Sequence, residues 1–209
     1  MSGDDVAVID VTTSSRHERF LYGCLVPRAI AKYRRRSEYL DAAIPEGFRK
    51  NILVFKGDVV GTVEYASPEG SAYSIKGKDI IVINCIWVLR RAKGHRFGAR
   101  LLEEIVKTEP SAAGFATLGL EGHWSPWLKR DQLEKLGFKS IDSLHVSHKT
   151  KHIDEPFTVH LMWLPRRGDA EPPTWDKRKL LECVSFCTAH PLYHPQTYKP
   201  KEILQEIAF

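Results

Sequence analysis

Residues 82–104 read VINCIWVLRRAKGHRFGARLLEE, and three kinds of local structure follow one another in that stretch. The apolar run over 80–88 is β-branched and aromatic enough to predict a buried strand. Leu101, Leu102, Ile105 and Val106 recur with helical spacing and predict a helix over 98–108. Between them lies a basic loop, Lys93-Gly94-His95-Arg96-Phe97-Gly98. Glycine tolerates positive φ and lets a ligand approach the backbone. The first helical turn adds unpaired N–H groups and the positive end of the helix dipole. Strand, basic glycine loop and helix N-terminus together suit a phosphate or pyrophosphate.

Working outward, the sequence predicts a strand over 6–11, helices over 16–25 and 28–43, and hairpin strands over 51–56 and 59–66 around Gly57-Asp58. A strand over 114–121 follows the central helix, then a helix over 126–136 and strands over 138–147 and 157–165. For the helix at 126–136, Ser125-Pro126 offers an N-cap and a proline in the first turn, and Gly137 a residue to end it. Strands with helices on both faces make an α/β domain. Residues 166–173, RRGDAEPP, stop both helix and strand and set a boundary, giving a domain over 1–168 and an extension over 169–209.

At the loop the chain resembles the GNAT superfamily of N-acetyltransferases. That family's acetyl-CoA loop follows a strand ending in Val, runs Arg or Gln, two residues, Gly, one residue, Gly or Ala, and leads into a Leu-Leu helix. Val88, Lys93, Gly94, Gly98 and Leu101-Leu102 hold corresponding places, while Arg96 stands where the central glycine is usual. LEKLGF at 133–138 resembles the family's second landmark, with Leu133 in the place of a tyrosine thought to protonate the departing thiolate. The resemblance extends over residues 6–165. CIWV at the strand end and VGTVEYASPEG in the hairpin point to a microbial branch, for which the resemblance supplies no acceptor.

The resemblance implies a mixed, mostly antiparallel central sheet flanked by helices. It also implies acetyl-CoA as cosubstrate, held by the backbone of Ile86, Trp87 and Val88 and by Lys93, Gly94, His95, Arg96, Phe97, Gly98 and Ala99. In that fold the strand carrying Val88 splays from the strand at 114–121, and the thioester enters the gap. The implied reaction is direct acetyl transfer to an amine on a small molecule or protein. A carboxylate or histidine near the gap must relay the amine proton, and Glu121, His123 and Glu64 are the candidates. Asn84 cannot act as a base, and Cys85 reads as core. The rival reading is a non-catalytic acyl-CoA-binding or regulatory module, favoured by Leu133 and Arg96.

Composition bounds the rest. The chain has 209 residues, 43% hydrophobic and 27% charged, enough to bury the core of one soluble domain plus an extension. No apolar run reaches the ~20 residues that span a membrane. The start MSGDDVAVID lacks a signal-peptide pattern, so the expected location is cytoplasmic, with the four cysteines reduced. At net charge +5, Arg34-Arg35-Arg36 reads as a solvated face, whereas Arg90-Arg91 lies within reach of a CoA tail. There is no nucleic-acid-binding motif, so nucleic acid is not an expected partner.

The extension contains Cys183-x3-Cys187-x2-His190-x3-His194, four ligands of the types that hold Zn²⁺. Against zinc, residues 176–187 also read as a helix with Leu180, Leu181, Val184 and Cys187 on one face, the cysteines being ordinary apolar surface. Packing of the extension is the preferred reading. Its apolar side chains need a surface, on this chain or on a second copy in a homodimer.

Overall fold

The computed structural model describes residues 6–23, 25, 34–149, 153–182, 187, 190, 192 and 203–207. Among the described residues, ten strands and five helices run in the order β1 (Val6–Asp10), α1 (Glu18–Tyr22), α2 (Arg34–Ala43), β2 (Arg49–Phe55), β3 (Asp58–Ala66), β4 (Ile75–Lys76), β5 (Ile80–Val88) and α3 (Phe97–Thr108). The chain continues with β6 (Gly114–Glu121), α4 (Arg130–Glu134), β7 (Lys139–His148), β8 (Phe157–Pro165), β9 (Thr174–Trp175), α5 (Lys177–Leu180) and β10 (Leu204–Glu206). Eight strands form one sheet in the order β1-β2-β3-β5-β6-β8-β7-β10. Every neighbouring pair is antiparallel except β5 and β6. The sheet is thus the mixed, mostly antiparallel one expected.

The hairpin β2–β3 closes on Lys56 and Gly57, at φ 51° and 82°. Two consecutive positive φ values match the right-handed twist of the flanking strands, and they move the turn one residue earlier than Gly57-Asp58. On one face of the sheet, α3 buries Phe97, Leu101, Leu102 and Ile105 against Leu53, Val63, Ile83 and Phe115. Truncating one of these leucines to alanine would cost about 2–5 kcal/mol. On the other face, α1 and α2 close over Phe48 through Leu21 and Leu40. Beside them Val82, Leu118, Leu120 and Val159 meet Leu180, Leu192 and Ile203 from the C-terminal segment. That segment also gives β9 to β4 and β10 to the edge of β7.

The feature that matters for a ligand is where β5 leaves β6. The two pair only at Ile80↔Gly114, Ile81↔Phe115 and Val82↔Ala116. Opposite β3, β5 carries one extra residue, Asn84, between the Tyr65↔Ile83 and Glu64↔Cys85 pairs. A bulge bends and twists its strand, which steers the rest of β5 away from β6.

Several expected helices are shorter than their sequence signals. The one expected over 126–136 is confined to α4. Leu128 has φ 52°, its carbonyl accepts the Leu120 N–H at 2.6 Å, and Lys129 makes a parallel bridge to Leu120. Residues 126–129 therefore run beside β6, and the Ser125 hydroxyl accepts the Trp127 N–H instead of capping a helix. The helix expected over 16–25 is a 3₁₀ turn plus α1, that over 28–43 is α2, and that over 176–187 is α5. Residues 28–33 and 183–186 lie outside the described residues. No described helix is long and apolar enough to cross a membrane.

Candidate active site

The wedge between β5 and β6 opens as a cleft of about 600 Å³, walled by the end of β5, the loop into α3, the 126–129 segment and α4. Of the residues expected to meet a cosubstrate, Ile86, Trp87, Val88, Lys93, Gly94, Arg96, Phe97, Gly98 and Ala99 line it. His95 does not. Its ring packs 5.0 Å from Phe55 and 5.1 Å from Phe97, adding to the hairpin instead of the cleft.

The loop's geometry follows from its sequence. Gly94 has φ 89°, a left-handed conformation that suits glycine. Arg96, at φ 56°, is also left-handed, and it is the N-terminal flanking residue of α3. The place where the resembling family has glycine is therefore one where glycine would be unstrained. No side chain caps α3 there. A Cβ at Gly98 would meet nothing within 4 Å, so the glycine leaves open space on the wall of the cleft. The ionisable side chains lining the cleft are Lys93, Arg96, Lys129 and Lys135, with no carboxylate among them. The cleft is a basic one, suited to a polyanion.

The edge of β5 is also open. The Leu89 N–H donates to the Val60 carbonyl at 2.8 Å, on the β3 side. N–H groups alternate along a strand, so the Val88 N–H points to the opposite edge, into the wedge. Arg91, by contrast, makes an exposed ion pair with Asp58 at 3.2 Å and does not line the cleft.

None of the three candidate proton carriers lines the cleft. Glu64, fully buried, faces Arg36 at 2.8 Å and Lys50 at 2.7 Å. Burial alone would raise its pKa, but the two cations hold it below the usual carboxylate range. Glu64 is thus held as an anion between two cations. This pairing also corrects the reading of Arg36 as part of a solvated face, since Arg36 is 4% exposed. Arg36 and Lys50 further donate to the carbonyls of Leu21 and Gly23, tying the end of α1 to the sheet.

Glu121 is exposed at the end of β6. His160 at 2.9 Å, then Arg130 at 3.0 Å, lower its pKa. His123 is buried, with the Ser125 N–H donated to its Nδ1 at 3.1 Å and its Nε2 3.1 Å from Nε2 of His148. Since Nδ1 accepts, Nε2 carries the hydrogen and donates to His148 when both rings are neutral. The Lys129 ammonium, from the cleft wall, donates to the His123 carbonyl.

The alternative reading of a metal site in the extension is not supported. His190 is buried, and its Nδ1 accepts the Leu192 N–H while its Nε2 meets the Tyr73 hydroxyl at 2.6 Å. The Tyr73 hydroxyl donates to the Asn84 carbonyl, so His190 Nε2–H is the donor in that pair, and neither ring nitrogen is left for a metal. Burial, then His123, lowers the His190 pKa to about 3. Among the described residues there is no group of three or more metal-ligating side chains. Cys183 and His194 lie outside the described residues.

What sequence reasoning missed is the 126–129 wall. Trp127 packs 4.7 Å from Trp87 across the cleft, with the rings at 55°. A tryptophan and a leucine in what read as the first turn of a helix were the available signal. Leu133 is buried on the cleft wall.

No family model and no curated protein matches the sequence. Solved structures do match. A protein described as an acetyltransferase of the GNAT family from Desulfovibrio desulfuricans superposes with a TM-score of 0.51 at 14% identity, over 77% of this chain and 98% of that one. Arabidopsis thaliana NAA60 in complex with acetyl-CoA gives a TM-score of 0.49 at 16% identity, over 77% and 99%. A GNAT-family acetyltransferase from Brucella melitensis in complex with acetyl-CoA gives 0.48 at 15%, over 81% and 94%. At such identities the likeness is one of fold, carried by the first of the three. The chain has the GNAT fold.

Proposed function

We propose that this protein is an acetyl-CoA-dependent N-acetyltransferase that passes the acetyl group directly to an amine. The observation that supports this most is the parting of β5 from β6 beyond Val82 and Ala116, which opens a basic cleft under an uncapped helix N-terminus. In this reading the pyrophosphate lies on the Lys93–Gly98 loop and the first N–H groups of α3. The pantetheine pairs with the open edge of β5 at Ile86 and Val88. The Val88 N–H receives the acetyl carbonyl, whose oxygen gains negative charge as the amine attacks. The C–S bond then breaks, the thiol leaves with a proton, and the new amide nitrogen loses one. Glu64 and Glu121 are held as weakly basic carboxylates, so proton relay falls to His123 with His148.

The second reading, a non-catalytic acyl-CoA-binding module, is favoured by Leu133, an apolar side chain where a general acid would stand. One experiment separates them. Acetyl-CoA with a panel of amines should yield free thiol at a rate that depends on the amine. Binding without thiol release across the panel would favour the module, and no binding would overturn both.

A further inference from the structure

We propose that the indole N–H of Trp87 donates to a carbonyl oxygen of the bound acyl-CoA. The inference rests on the reading of the cleft as an acyl-CoA site. Trp87 lies on the part of β5 that has left β6, and it lines the cleft. Its Nε1 is closed off from solvent and has no hydrogen-bond partner among the described residues. Such a donor, left unpaired, costs about 1–3 kcal/mol, and native proteins leave few of them. The Trp127 ring at 4.7 Å holds the indole in place.

An indole nitrogen only donates, so the partner must be an acceptor. The cleft wall offers no carboxylate. The phosphates of the ligand are drawn to Lys93, Arg96 and the start of α3, at the mouth. What reaches the strand is the uncharged arm, whose acceptors are its amide carbonyls and the thioester carbonyl. Nε1 is closed off in the free protein, so a carbonyl reaches it only as a neighbouring group moves, which couples this bond to filling of the cleft.

The test is a ¹H–¹⁵N spectrum of the full chain, in which five tryptophans give five indole signals and Trp87→Phe identifies one. Saturating acetyl-CoA should move the Trp87 signal downfield, and Trp87→Phe should weaken binding about five- to tenfold. A shift with acetyl-CoA alone assigns the thioester carbonyl, and a shift with CoA as well assigns an amide of the arm. Both support the proposal. Calorimetric heat of binding with an unmoved Trp87 signal would overturn it and leave the cleft assignment standing. Neither heat nor shift would overturn both. If Trp87→Phe fails to fold, replacing the other four tryptophans in turn still assigns the wild-type signal.

Discussion

The two faces of β5 use charge in opposite ways. Toward α3 the cations Lys93 and Arg96 line an open cleft with no carboxylate beside them. Toward α1 and α2, Arg36, Lys50 and Glu64 are almost fully buried and paired at 2.7–2.8 Å. On that second face the polar groups are largely spent on each other, as Tyr73 with His190 and His123 with His148. The first arrangement suits a polyanionic ligand at little cost to stability. The second fixes the backbone that shapes the cleft, and it fails when one partner is lost.

The largest effect should come from breaking the buried side. Glu64→Ala leaves two buried cations without their anion and should lower stability by about 3–5 kcal/mol in denaturant unfolding. Lys50→Met, which leaves a neutral Arg36–Glu64 pair, should cost less. If both variants unfold like the wild type, the triad does not hold the face together. Next, if His123 relays the amine proton, His123→Ala should reduce kcat about 10²- to 10⁴-fold with acetyl-CoA affinity nearly kept. Glu121→Gln should leave kcat close to wild type. The reverse pattern would return the role to the carboxylate.

A third prediction concerns pH. The His190 pKa of about 3 lies below the ordinary 6.5, so between those values the unfolded chain binds more protons than the folded one. The stabilisation is complete above about pH 6.5 and is lost as the pH falls, about 2 kcal/mol by pH 5. His190→Gln, which can still donate to Tyr73, should flatten that part of the profile. An unchanged slope would mean that His190 is protonated in the fold. The smallest effect is on the open side, where Arg96→Gly should relieve the left-handed strain and raise stability by about 0.5–1 kcal/mol. A fall in melting temperature would contradict the strain.

Much of this was legible because it is local. Leu101, Leu102 and Ile105 recur at helical spacing, and α3 lies within one residue of its expected start. β5 and β6 have the bounds read from their apolar runs. What was not legible depends on contacts distant in sequence. Arg36 looks solvated in a run of three arginines until Glu64, 28 residues on, meets it. Ser125-Pro126 imitates a helix start, and only the hydrogen bond between Leu120 and Leu128 shows that the chain runs beside β6 instead. β10 is three residues long and exists only because β7 offers an edge. In the site, the loop was visible as a motif, while the Trp87–Trp127 wall needed the fold.

The most direct test of the cleft is a calorimetric titration of acetyl-CoA into the wild type, Gly98→Val and Lys93→Glu, with melting temperatures measured alongside. The wild type should bind, and the binding should weaken as salt is raised. Gly98→Val should fill the space left on the wall, and Lys93→Glu should repel the pyrophosphate, each reducing affinity about tenfold or more while melting within a few degrees of wild type. Unchanged affinity in both variants, with the folds intact, would contradict the assignment of this cleft to acetyl-CoA.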